Sequence, residues 1–141
     1  MDTSAVEKVI TTRQDQYVLV TVNTERKIIT LKWRGYAPSP QFRSILEDAL
    51  SNVRLHQLEA WLADLREMNA ILRQDEQWCV NDWFPRLANA GLKRMAILVS
   101  SDYFNQMSVD RIMDAATPEM PFAVANFDDP VAALAWLHAE A

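Results

Sequence analysis

Apolar and polar positions change period several times along this chain, and each change marks an element. Residues 17–23 (YVLVTVN) form a β-branched and aromatic run. Residues 27–33 (KIITLKW) alternate, with Ile29, Leu31 and Trp33 on one face and Thr30 and Lys32 on the other. The short polar link NTER between them predicts a hairpin. Past Gly35, Ser39 and Pro40 read as an N-cap and a first helical position. Phe42, Ile45, Leu46, Ala49, Leu50 and Val53 then recur at the spacing of an amphipathic helix. Residues 58–64 (LEAWLAD) and 94–100 (RMAILVS) are short, mostly apolar runs that predict buried strands. A helix over 74–90 lies between them, closed by Gly91. After Ser101 and Asp102 a further helix is best phased on Val109, Ile112, Met113 and Ala116, with Ser108 as its candidate cap. Residues 121–127 (PFAVANF) predict a last strand, and Asp129-Pro130 opens a last helix through Leu134 and Leu137.

The order β-β-α-β-α-β-α-β-α predicts an α/β fold: a mixed five-stranded sheet flanked by four helices, with right-handed crossovers between parallel neighbours. Residues 17–141 make a single domain. Residues 1–16, whose sizeable apolar side chains are Val6, Val9 and Ile10, read as an N-terminal arm or a short first element.

Composition narrows the function classes. The formal charge is −5 and no Lys/Arg cluster stands out beyond Lys93-Arg94, so nucleic acid and anionic membranes are not expected partners. No apolar run is long enough to cross a bilayer, and the first residues lack the pattern of a signal peptide. A single cysteine excludes an internal disulfide and suits a cytoplasmic location. The two glycines, Gly35 and Gly91, cannot build a phosphate-cradling loop. His56 and His138 stand alone, without metal-ligand spacing. No catalytic residue, metal or cofactor is expected. The predicted strand ends carry Asp64, Arg66 and Glu67, then Ser100, Ser101 and Asp102, then Asp128 and Asp129; Asp102 and Asp129 read as helix caps.

The densest aromatic stretch is QWCVNDWFPRL at 77–87. At about 100° per residue, Cys79, Val80, Trp83, Phe84, Leu87 and Ala90 share an arc of roughly 140° and predict a core stripe. Trp78, Asn81 and Pro85 fall opposite and form a candidate interaction face. Pro85 cannot donate to the Asn81 carbonyl, so a kink is expected there. Trp33 and Trp61 read as core, and Trp136 as the edge of its helix stripe.

Four segments, WLADLREMNAI (61–71), NDWFPRLANAGLKRMAILVS (81–100), FNQMSVDRIMD (104–114) and FDDPVAALAWL (127–137), give the chain a resemblance to STAS-like domains. More closely it resembles the SpoIIAA-like group with its STAS/Sec14-type fold, over residues 17–138. The resemblance implies a bacterial signalling protein of the anti-sigma-factor antagonist kind. In that family a serine opening a helix is phosphorylated, within Asp-Leu-Ser-Gly and Asp-Ser-Ser-Gly motifs. Here Asp64-Leu65 matches the start and Ile71 the apolar anchor, but Leu72, Arg73, Gln74 and Asp75 follow. No serine or threonine occurs between Asp64 and Asn89. The equivalents of the switch loop are Asp64, Gln74, Asp75 and Glu76. Asp75 and Glu76 either stand in for a permanent phosphate or complement the helix dipole, worth about 0.3–1 kcal/mol. The expected function is a non-catalytic protein–protein interaction or regulatory module, its protein partner unidentified and a homodimer among the options. The alternative is a small-molecule or lipid-binding domain of Sec14-like type.

Overall fold

The computed structural model describes residues 8–139. Its strands are β1 (Val9–Gln14), β2 (Val18–Asn23), β3 (Ile28–Gly35), β4 (Ala60–Met68), β5 (Arg94–Leu98) and β6 (Ala123–Phe127). They form one sheet in the order β1-β2-β3-β4-β5-β6. The first two pairings are antiparallel and the rest parallel.

The sheet thus has six strands, not the predicted five. β1 comes from the segment read as an arm, of which residues 1–7 lie outside the described residues. Val9 and Ile10 are exposed, so β1 shows no buried face and carries no alternating signal. Backbone pairing to β2 and one side chain hold it instead. The register slips between Thr11 and Arg13, and the Arg13 guanidinium reaches across to Asp48 Oδ2 at 2.7 Å and Ser44 Oγ at 3.0 Å.

The connection from β3 to β4 runs through α1 (Ser39–His56). That from β4 to β5 uses α2 (Arg73–Trp78), a π turn (Cys79–Trp83) and α3 (Phe84–Ala88). That from β5 to β6 uses α4 (Tyr103–Ala116) and a 3₁₀ turn (Thr117–Glu119). The three crossovers step in one direction, and right-handed connections of that kind place their helices on one face. The main core lies there. Val20, Leu31, Trp33, Trp61 and Ile97 of the sheet are buried against Ile45, Leu50 and Val53 of α1, Cys79, Trp83 and Leu87 of the middle run, and Ile112 of α4. Among the described residues, the opposite face is covered by α5 (Pro130–His138), whose Ala133 and Leu137 pack on Ile28, Ala60, Leu62, Ala96 and Leu98. Asp129 caps α5 as expected, accepting from Val131 N and Ala132 N. At its other end Arg94 donates to the carbonyls of Trp136 and Ala139, and its guanidinium stacks 5.5 Å from the Trp136 ring. That places a cation where the helix dipole is negative.

Several local expectations change. Pro38, not Ser39, precedes the first turn of α1, and the Ser39 hydroxyl points elsewhere. α4 begins at Tyr103 under an Asp102 cap, so Ser108 is a buried residue inside the helix rather than its cap. The kink expected at Pro85 takes the form of the π turn, closed by Phe84 N donating to Cys79 O. Pro85 follows directly, so its missing N–H and its ring fall where the regular helical ladder is already interrupted. The π turn also sets Cys79, Trp83, Phe84 and Leu87 into the core together.

Trp83 joins these layers: its Nε1–H donates to Leu46 O at 3.0 Å and its ring meets Trp61 edge-on at 5.4 Å. Trp83→Phe removes the donor and part of that packing. It is expected to lower stability by about 1–3 kcal/mol, read as a lower urea midpoint with unchanged slope.

Candidate functional site

The carboxyl ends of the parallel strands lie along one edge, and hydrogen bonds bind their loops together. Asn69 N donates to Gly35 O at 3.0 Å, and Ser100 Oγ to Met68 O at 2.8 Å. Asp102 is the hub of the third loop. It accepts from Asn105 N at 2.9 Å and from Asn69 Nδ2 at 3.2 Å, and these donors hold its carboxyl below the usual range. Asn105 Nδ2 donates to Asn69 O at 2.8 Å, and Ser108 Oγ to Ile71 O at 3.3 Å. Because the strand order never reverses, this edge has no switch-point crevice of the kind that binds ligands in doubly wound sheets.

The first two turns of α4 are inverted. Asn105 and Ser108 are buried, while Tyr103 and Phe104 are 65% and 66% exposed and Met107 is exposed beside them. The two rings meet edge-on at 5.8 Å. Tyr36 after β3 and Leu72 after β4 are exposed on the neighbouring segments. Polar side chains are thus spent on tying loops, and apolar ones face water, the reverse of ordinary helix patterning. This patch is not among the candidate residues read from the sequence. Its signal was present: Tyr103, Phe104 and Met107 are out of phase with Ile112 and Ala116.

The proposed switch-loop residues do not form one site. Asp64 lies in β4, opposite Lys32 and Leu98 in register, on the face that α5 shares. Arg66 folds onto it, with Nε to Oδ1 at 3.0 Å and Nη2 to Oδ2 at 2.8 Å. Asp75 and Glu76 lie on the other side of the sheet and turn inward. Asp75, 1% exposed, accepts from Ser39 Oγ at 2.8 Å and Arg43 Nε at 3.0 Å. Gln74 Nε2 donates to the same Ser39 oxygen at 2.8 Å. Glu76 holds Arg111 of α4 through two bonds of 2.8 Å. The two acids therefore staple α2 to α1 and to α4, and their charge is met inside the protein.

The predicted outer face also divides. Trp78 is half-buried, edge-on to Phe42 at 6.5 Å, with the Arg43 guanidinium 5.3 Å from its ring centre. Asn81 and Pro85 are exposed and line a separate groove towards the end of α4, with Ala115 and Met120. Trp33 and Trp61 are core, as read from the sequence.

Little nucleophilic chemistry is on offer. Cys79 is buried, and burial pushes its thiol pKa far up, away from the reactive thiolate. No group of three or more metal-ligating side chains occurs among the described residues. No helix among them is long and apolar enough to cross a membrane. An apolar pocket of about 80 Å³ is lined by Trp61, Cys79, Trp83 and Ile112 of the main core. Sites for drug-sized ligands begin near ~300 Å³.

Burial raises the Asp64 pKa, but the Arg66 hydrogen bonds outweigh it, so the folded value lies below the ordinary 3.8. Its stabilisation is complete above the unfolded value and is lost as pH falls through the folded one. Asp64→Asn should cost about 1–2 kcal/mol at neutral pH, and its urea midpoint should begin to approach that of wild type as pH falls below about 4 and meet it only below the folded value. Asp75→Ala strands Ser39 and Arg43 and should cost about 1–3 kcal/mol. A thermodynamic cycle with Arg43→Ala should return a coupling of about 1 kcal/mol; a zero coupling would remove the staple from the account.

No protein-family model matches this chain, and no curated protein matches it. Among solved structures it is similar to the crystal structure of an uncharacterized protein from the DUF3478 family with a SpoIIAA-like fold, from Shewanella loihica PV-4. The two share 16% identity over 97% of this chain and 99% of that one, with a TM-score of 0.49.

Proposed function

We propose that this chain is a non-catalytic, STAS/SpoIIAA-like protein-interaction module that engages a protein partner through the carboxyl edge of its sheet. The inverted start of α4 carries the reading. Tyr103, Phe104 and Met107 stand in water while Asn105 and Ser108 occupy the buried positions. Aromatic side chains held on a rigid element are the usual anchors of protein interfaces. The loops beneath them are fixed by Asp102 and Asn105, so the patch is presented without an ordering cost. The sequence feature behind the regulatory expectation also supports a constitutive module: the stretch from Asp64 to Asn89 has no hydroxyl residue. The one hydroxyl beside Asp75, that of Ser39, comes from α1 and is hydrogen-bonded there.

The Sec14-like alternative would need a chamber for an apolar ligand. The apolar pocket at the main core holds about 80 Å³, far less than that, and the larger groove beside Asn81 and Pro85, about 510 Å³, presents a mainly polar surface, so the interaction reading is preferred.

Tyr103→Ser combined with Phe104→Ser tests it. Both side chains are exposed, so stability should change by no more than about 0.5 kcal/mol. Sedimentation across a concentration series asks first whether a second copy is the partner; the double variant should then shift any dimer to monomer. If wild type is monomeric, a photo-crosslinker at position 107 in cells should trap a protein that purified wild type binds and the double variant does not. Undiminished binding by the double variant would end the proposal.

A further inference from the structure

The apolar pocket at the main core lies between the sheet and its helical layer. β4 supplies Trp61 and Ala63, the π turn Cys79 and Trp83, and α4 Ile112 and Met113. Its walls are buried apart from Ile71, Val109 and Met113. Those three are half-buried and mark the way in, between the segment after β4 and α4. No charged, amide or hydroxyl side chain lines the pocket. The Trp83 Nε1–H is already committed to Leu46 O at 3.0 Å.

Size and chemistry together select an occupant. Core side chains ordinarily interdigitate and leave few gaps larger than a water molecule. A volume of about 80 Å³ exceeds such a gap. Water fills a buried space stably only where it finds about two to four polar partners, and these side chains do not supply them. An apolar molecule gives up no hydrogen bond on entering. An engineered apolar cavity of roughly 150 Å³ stays dry and takes up benzene or xenon. About half that volume suits something smaller than a benzene ring. Met68, Met95 and Cys79 add polarizable sulfur to the walls, which favours dispersion contact with such a molecule.

We propose that this pocket is a binding site for one small, neutral, apolar molecule, a dissolved gas or a hydrocarbon smaller than benzene, held between Trp61 and Ala63 of the sheet and Trp83 and Met113 of the helical layer. The site is separate from the exposed aromatic pair of α4 and stands without the partner reading.

Xenon and propane are the probes, applied under pressure to the full chain labelled at its methionine methyls. Met68, Met95 and Met113 line the pocket, whereas Met107 and Met120 do not. Xenon should shift the first three signals saturably and leave the other two in place. Propane should displace xenon, and ethanol, with the same number of heavy atoms, should not. Ala63→Val and Cys79→Leu fill the pocket from the sheet side and from the helical side. Each variant that folds should bind xenon about fivefold more weakly or worse. Five results would each overturn the proposal: no saturable shift; shifts centred on Met120, which would place xenon in the groove beside Pro85; displacement by ethanol equal to that by propane; unaltered xenon binding in a folded filling variant; or failure of both variants to fold, which would mean that the walls leave no room to fill.

Discussion

The architecture depends on one constraint, the handedness of its crossovers. Four parallel strands laid down in order, each joined to the next by a right-handed connection, send every connecting helix to the same face. The main core is built there and the opposite face is left uncovered. One helix, α5, must then cover the central strands from the other side. Its nine residues are mostly small or apolar, so its attachment rests on packing and on Arg94 at its carboxyl end. The absence of a reversal in strand order also denies the fold the crevice in which doubly wound sheets bind cofactors. Any function at the carboxyl edge has to be made by the loops and helix starts.

Charge is used inside the helical layer as a fastener. Asp75 and Glu76 are adjacent in sequence yet reach in different directions, to Arg43 on α1 and to Arg111 on α4. Each carboxylate is nearly fully buried, while each arginine keeps a third or more of its side chain in water. That arrangement satisfies the buried member without desolvating both ions, the costly case for an interior pair. It holds a short helix, followed by a π turn, in place between two longer ones. The same region supplies Trp83, which ties the middle run to α1 and β4.

Much of this was legible in the chain. The alternation in 27–33 placed Ile29, Leu31 and Trp33 on the core face, and the spacing from Phe42 to Val53 named every buried apolar position of α1. Asp102 and Asp129 were readable as caps because a cap is a local bond, two or three residues long. β1 was not readable as a strand, since an edge strand with both faces exposed has no hydrophobic period. Nor were the partners of Asp75 and Glu76, which are supplied by residues 32 and 35 positions away. The candidate site was legible only in part. Phe104 and Met107 stood out of phase with the core stripe and Asn105 and Ser108 in phase with it, seven and four residues before Ile112, but nothing local showed which carbonyls those two polar side chains would meet.

The sequence by itself therefore determined the order of elements from β2 onward, the α/β class and most of the main core, because burial imposes a period that a buried strand or helix must carry. It also excluded a phosphate-cradling loop and a disulfide. Only the tertiary structure decided the sixth strand, the inward commitment of the two acids, the separation of Trp78 from Asn81 and Pro85, and the carbonyls that Asn105 and Ser108 meet. Each of these depends on which distant segment lies alongside. Pairwise contacts between remote residues leave no periodic trace in a single chain, whereas burial against a common core does.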